Sequence, residues 1–168
     1  MKQAPTERAS ARGLRLAILR SLFNRTISDG LVDGARQALA EMGGAAGRVT
    51  VFDVPGAFEL PVAARAAALS GRFDAVIALG AVVRGETDHY EHVSREAAAG
   101  LAAVARETGV PVAFGVLTVR EAAQAEARSR PGPQNKGAEA ARAAVLLART
   151  LDAIRGKARR RPAARRRR

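Results

Sequence analysis

Asp74-Ala-Val-Ile-Ala-Leu-Gly-Ala-Val-Val-Arg-Gly-Glu-Thr-Asp-His89 contains the run that decides the fold. Ala75 to Leu79 is short and apolar without a break, the pattern of a parallel strand buried on both faces. A glycine-bearing polar loop, Gly80 to Thr87, follows it. A helix is then expected from about Asp88 to Thr108, because Val93, Ala97, Leu101 and Val104 recur on one side.

The same alternation extends in both directions. Upstream, Leu14 to Leu22 is apolar with Arg15 and Arg20 interleaved, and predicts a strand. Asn24-Arg25-Thr26 connects it to a helix capped at Ser28 or Asp29, with Leu31, Ala35, Leu39 and Met42 on one face. Gly43-Gly44 ends that helix. Val49 to Val54 alternates and is rich in β-branched residues, so it is a second strand. Pro55-Gly56 turns the chain into a helix from about Phe58 to Ser70, with Pro61 tolerated in its first turn. Downstream, Val110 to Leu117 reads as the fourth strand. Helices near Arg120–Ser129 and Gly137–Ile154 follow, separated by the loop Arg130-Pro-Gly-Pro-Gln-Asn135. Such alternation predicts a three-layer αβα sandwich on a four-stranded, mainly parallel sheet. Ligands of such sheets bind beyond the carboxyl ends of the strands. Polar and glycine residues crowd there, in Phe23-Asn24, Pro55 to Glu59, Gly80 to His89 and the stretch from Phe114 onward.

Composition narrows the class. Hydrophobic residues make up 48% of the 168, a globular proportion. The chain has no cysteine, which excludes disulfides, thiolate metal sites and thiol nucleophiles. No apolar run reaches the roughly 18 residues of a membrane helix. Arg8, Arg12, Arg15 and Arg20 interrupt any signal-like stretch, so a soluble cytoplasmic protein is expected. The net charge of +12 lies at the ends: nine cations stand from Arg155 onward and residues 1–15 carry +3. Residues 16–154 are therefore formally neutral. Three segments are expected: a flexible basic segment over 1–13, one domain over 14–154, and a disordered Arg-rich tail over 155–168. The tail's only expected nucleic-acid contact is non-specific.

The motifs exclude some chemistry. No GxGxxG follows the first strand and no GxxxxGK[ST] occurs, so dinucleotide and P-loop sites are unsupported. His89 and His92 are three residues apart with no third ligand evident, so no metal site is expected. His89 at a strand-to-helix loop can instead move protons near neutral pH or simply cap the helix. Gly80 and Gly85 let backbone approach a ligand, and the amides of the next helix start, with the Thr87 hydroxyl, suit an anion. Phe23, Phe58 and Phe114 are read as lying just past strand ends, where a planar ring can stack. Glu59 can accept hydroxyl hydrogen bonds, and Arg128 and Lys136 flank the Pro-rich loop as candidates for phosphate and carbonyl.

Four stretches together resemble the lumazine synthase family. They are Phe23-Asn24 with Ile27 and Gly34-Ala35; Val54 to Pro61; Asp74 to His89; and Pro111 to Thr118 with Asn135 to Ala140. The resemblance covers residues 14–154 and implies a flavodoxin-like fold. It implies a transferase of riboflavin biosynthesis that joins 5-amino-6-(D-ribitylamino)uracil to 3,4-dihydroxy-2-butanone 4-phosphate. An imine forms, phosphate leaves, and the ring closes to 6,7-dimethyl-8-ribityllumazine, with no metal or organic cofactor. By resemblance, Phe23 stacks on the pyrimidine. Ala57, Phe58 and Glu59 receive the ribityl chain, and backbone at Ala81, Val82 and Val83 reads the pyrimidine edge. Glu86, Thr87 and Arg128 bind phosphate, and His89 transfers protons. Phe114, Arg128 and Lys136 come from a neighbouring subunit, so the site lies between copies of a homo-oligomer, a pentamer or a sixty-subunit shell. Two departures stand out. Leu22 replaces an arginine usual before the stacking aromatic, and Arg130-Pro-Gly-Pro-Gln134 replaces a lysine-bearing loop. A non-catalytic shell or nucleic-acid-binding protein on this fold would be marked by loss of His89 or Arg128, and both are present.

Overall fold

The computed structural model describes residues 9–156. Its strands are β1 (Leu16–Ser21), β2 (Val49–Val54), β3 (Ala75–Val83) and β4 (Val112–Val119). Its helices are α1 (Arg25–Glu41), α2 (Leu60–Leu69), α3 (His89–Thr108), α4 (Ala122–Ser129) and α5 (Lys136–Ile154). The strands form one sheet in the order β2-β1-β3-β4, with every pairing parallel. The expected sandwich is present. On one face Leu16, Ile18, Ile77 and Leu79 pack with Leu31, Ala35 and Leu39 of α1 and Ala141 and Val145 of α5. On the other, Ala17, Leu19, Val76 and Ala78 pack with Leu60 and Ala64 of α2 and Leu101 and Val104 of α3. β1 and β3, central in the sheet, are buried almost throughout, as parallel strands covered on both faces must be.

Several boundaries differ from the sequence reading, each for a visible reason. β3 runs four residues past Leu79, because β4 keeps pairing with it from Val76↔Val112 to Val83↔Val119. Ala81, Val82 and Val83 are thus strand residues. β4 begins at Val112, after Pro111, and ends at Val119. Ala57–Glu59 is a separate 3₁₀ turn before α2. Neither Ser28 nor Asp29 caps α1. The helix starts at Arg25 after Asn24, which is left-handed at φ 56°, while Ser28 is buried and Asp29 pairs with Arg20. Gly43 does end α1: its φ is +80°, and Gly44 N–H donates to the Leu39 carbonyl at 2.8 Å.

The expected flexible segment over 1–13 needs a correction at its inner end. Ala11 is fully buried and its N–H donates to the Met42 carbonyl at 2.9 Å. Arg149 donates to the carbonyls of Ser10 at 2.7 Å and Arg12 at 2.5 Å. Residues 9–13 are therefore held against α1 and α5 by apolar burial and a guanidinium clamp. Residues 1–8 of that segment, and 157–168 of the tail, lie outside the described residues. Arg155 is described and donates to the Gly109 carbonyl at the end of α3 at 2.7 Å.

Arg15 and Asp74 tie the amino ends of β1 and β3 together. Asp74 Oδ2 accepts from Arg15 N at 2.7 Å, its Oδ1 from the guanidinium at 3.0 Å, and Asp74 N–H donates back to the Arg15 carbonyl at 2.7 Å. Burial pushes the Asp74 carboxyl up, but the Arg15 side-chain and backbone hydrogen bonds outweigh it and hold it below the usual carboxylate range. A carboxylate with a depressed folded pKa stabilises fully above its unfolded value, about 3.9, and loses that contribution as pH falls through the folded one. Asp74→Asn is expected to cost about 1 kcal/mol at pH 7, since the pair is partly exposed. The variant's urea midpoint should fall less steeply below pH 4 than the parent's.

Candidate active site

The carboxyl edge of the sheet carries one group of candidate residues. Beyond β1 and β2 the pairing continues: Leu22 N–H donates to the Val54 carbonyl at 2.9 Å and Phe23 N–H to the Pro55 carbonyl at 3.1 Å. Phe23 is thereby held beside the segment Ala57-Phe58-Glu59. The Asn24 amide crosses to β3, donating to the Ala81 carbonyl at 3.0 Å. Its left-handed backbone is what turns the side chain that way, a conformation asparagine tolerates better than most residues. Phe23 is 74% exposed and Phe58 56%. Aromatic rings left in water at adjoining strand ends are surfaces for a planar apolar partner. Ala57 is buried and offers only backbone, while Glu59 is half-buried.

β1 pairs with β3 only as far as Arg20↔Leu79, whereas β4 pairs with β3 to Val83. From Gly80 to Val83 the β1-facing edge of β3 therefore has no strand beside it. The side chains of Ala81 and Val82 are buried, so what this stretch presents is main chain. The Ala81 carbonyl is taken by Asn24, and main-chain groups here that lack a strand partner suit the in-plane edge of a heterocycle. Gly80 must be glycine here, since a Cβ would press on the Ser21 side chain at 2.9 Å. Next come Glu86 and Thr87, both exposed, and His89, the exposed first residue of α3. No side chain caps α3, so its first amides face solvent beside Thr87. His92 is exposed one turn later, and among the described residues no group of three His, Cys, Asp or Glu could hold a metal.

Phe114, Arg128 and Lys136 lie elsewhere. Phe114 does not sit past a strand end: it is the third residue of β4, paired with Ala78 and 47% exposed on the sheet's outer edge. The run Val110 to Leu117 already contained it, and the pairing with β3 confirms that it is inside the strand. Arg128 is in the last turn of α4 and Lys136 opens α5, paired with Glu139. All three line one cavity of about 530 Å³ between β4 and α5. Arg130, two residues further on, does not line it and pairs with Glu126 at 3.5 Å. Phe114 is five strand residues short of Val83, about 16 Å along β3 at roughly 3.3 Å per residue. One chain thus carries two separate groups: Phe23, Ala57–Glu59, Ala81–Val83, Glu86, Thr87 and His89 at the carboxyl edge, and Phe114, Arg128 and Lys136 on the β4–α5 flank.

The structure adds residues that the sequence reading did not select. Asn135 is 2% exposed. It accepts from Ala138 N–H at 3.0 Å and donates to the carbonyls of Ser129 at 2.8 Å, Gly30 at 3.0 Å and Arg130 at 3.2 Å. It fixes the loop between Arg128 and Lys136 onto α1. An asparagine just before a helix is a capping signal that could have flagged it. Arg20, Asp53 and Asp29 form an ion cluster beside Phe23. The sequence model of the family described as 6,7-dimethyl-8-ribityllumazine synthase matches residues 13–152, a span that holds both groups.

Proposed function

The chain belongs to the 6,7-dimethyl-8-ribityllumazine synthase family, and from that premise we propose how its residues share the reaction between two copies of the chain. The family is one of transferases in riboflavin biosynthesis. It condenses 5-amino-6-(D-ribitylamino)uracil with 3,4-dihydroxy-2-butanone 4-phosphate to 6,7-dimethyl-8-ribityllumazine, releasing phosphate and water.

In our reading the pyrimidine lies against Phe23, with its polar edge on the main chain of Ala81, Val82 and Val83. The ribityl chain runs along Ala57 and Phe58 to the Glu59 carboxylate. The butanone phosphate rests its anion on the Glu86-Thr87 turn at the start of α3, whose unpaired amides and dipole favour negative charge. The second copy brings its Arg128 guanidinium to the same phosphate, its Lys136 to a carbonyl, and its Phe114 to the ring. His89 takes and returns protons as the amine adds to the ketone, as phosphate departs, and as the second amine closes the ring. Much of the acceleration comes from holding both reactants in one place. The chain is a homo-oligomer, a pentamer or a sixty-subunit shell, and works in the cytoplasm. Among the described residues no helix is long and apolar enough to cross a membrane.

The observation that carries this reading is the pairing of exposures. Phe23 and Phe58 stand in water at one edge, while an open cavity lined by Phe114, Arg128 and Lys136 stands on another flank. Supplying the purified chain with both substrates should produce the lumazine chromophore, with mass measured in parallel. No product from an assembled oligomer would overturn the proposal.

Arg128→Ala is expected to raise KM for the butanone phosphate by about tenfold or more, the size of a lost charge-assisted contact, and to leave KM for the pyrimidine nearly unchanged. Only one substrate carries the phosphate. Steady-state kinetics varying each substrate in turn checks this. An equal effect on both constants would remove Arg128 from the phosphate.

A further inference from the structure

We infer that Arg20 is a positioning residue for the ring-stacking Phe23, acting through a fork that joins β1, β2 and α1. The inference rests on the reading of Phe23 given above and extends it to a residue outside the substrate's reach.

Arg20 is the penultimate residue of β1, and its register partner on β2 is Asp53. Its Nε donates to Asp53 Oδ1 at 2.8 Å and one terminal nitrogen to Oδ2 at 2.9 Å, a two-point grip. The other terminal nitrogen donates to Asp29 Oδ1 at 2.5 Å. Asp29 is also 3.6 Å from Arg25, the first residue of α1. One guanidinium therefore ties two strands and a helix, and a planar five-donor group alone has the geometry to do so. The Arg20 side chain is 18% exposed while Asp29 and Asp53 are 42% and 43% exposed, so the contacts are only partly shielded from solvent.

Residues 21–28 are the segment closed by the Arg20–Asp29 bond. Phe23 sits inside it with an exposed ring that nothing packs in place. The start of α1 has no side-chain cap, and Asn24 holds a left-handed backbone just before it. Ser28 Oγ reaches the Phe23 carbonyl only at 3.5 Å. The fork, the Asn24–Ala81 hydrogen bond and the two main-chain bonds to Val54 and Pro55 together hold the backbone on either side of Phe23, between β1 and the first turn of α1. The hydrogen bond from Arg20 holds the Asp53 carboxyl below the usual carboxylate range, so the grip persists across any pH suited to assay.

The test compares Arg20→Met, Arg20→Lys, Asp53→Asn and Phe23→Ala by steady-state kinetics with both substrates, and by thermal melting. Arg20→Met should raise KM for the ribitylaminouracil about tenfold, leave KM for the butanone phosphate within about twofold, and change kcat little. Arg20→Lys keeps the charge but loses the fork, and should recover only part of the effect. Should Arg20→Met fail to fold, Asp53→Asn removes one arm and should show the same one-sided change at smaller size. Adding Arg20→Met to Phe23→Ala should have no further effect on the pyrimidine constant. A lower melting temperature with both constants unchanged, or equal changes in both, would make Arg20 merely structural and overturn the inference. If Phe23→Ala itself left the pyrimidine constant unchanged, the stacking role of Phe23 would fall and this inference with it. An effect of Phe23→Ala without one from Arg20→Met would overturn the inference alone.

Discussion

Mixing His89→Ala chains with Arg128→Ala chains is expected to restore about a quarter of parental turnover, although each variant alone keeps about a tenth or less under the same conditions. His89→Ala should lose about 10- to 10⁴-fold, the span for removal of a general acid–base group. Arg128→Ala should lose about tenfold or more when butanone phosphate is kept well below the parent's KM. In the structure His89 opens α3 at the carboxyl edge while Arg128 lines the β4–α5 cavity. If each site takes one group from each of two neighbours, random mixing gives about one site in four with both residues intact. The chains must be co-expressed or unfolded and refolded together, so that copies exchange. Activity that never rises above the two variants alone would place both residues in the same chain's site and remove the shared-site reading.

That experiment bears on what the sequence could and could not reveal. The alternation of strands and helices was legible because buried parallel strands and amphipathic helices leave different periods in the chain. β2 was readable to the residue, since Val49–Val54 alternates and ends at a Pro-Gly turn. β3 was read too short because Gly80 resembles a loop start. It stays in the strand because it pairs with Val116, and it is glycine because a Cβ would press on the Ser21 side chain. Phe114 was placed past a strand end although it lies within Val110 to Leu117, the run read as the fourth strand, and the structure keeps it inside β4. The identities of the candidate residues came from the resemblance in four stretches, and the family match over 13–152 agrees with it. The resemblance also implied their division into two groups, with Phe114, Arg128 and Lys136 from a neighbouring subunit; where that second group lies on the chain was not legible, because it depends on which flank of the sheet α4 and α5 cover. Arg20 read as a polar interruption in a strand. Its meaning lies in Asp53 and Asp29, which meet it only once β2 and α1 are packed beside β1.

The other large effect is expected at Asn135. Replacing it with alanine should destabilise the fold by about 3 kcal/mol, combining a lost helix cap of about 1 with buried carbonyls stripped of their donor. That is a sizeable share of a domain's total, about 5–15 kcal/mol. The site is unforgiving because three glycines make room for it. A Cβ at Gly34 would overlap the Asn135 amide, one at Gly30 would strike the Ser129 carbonyl, and one at Gly137 would overlap the main chain of Leu31. The last cannot relax by rotating a side chain, so Gly137→Ala should be at least as damaging as Asn135→Ala. Asn135→Asp keeps the oxygen that caps α5 but loses both N–H donors, and should fall between the parent and Asn135→Ala. The loss should also reach catalysis, since Asn135 holds the loop whose two ends carry Arg128 and Lys136. Urea unfolding of the three variants gives the stabilities, and kinetics of Asn135→Asp gives the second effect as a raised KM for the butanone phosphate. A change under about 0.5 kcal/mol, the range of ordinary surface substitutions, would show that the four hydrogen bonds of Asn135 hold nothing together.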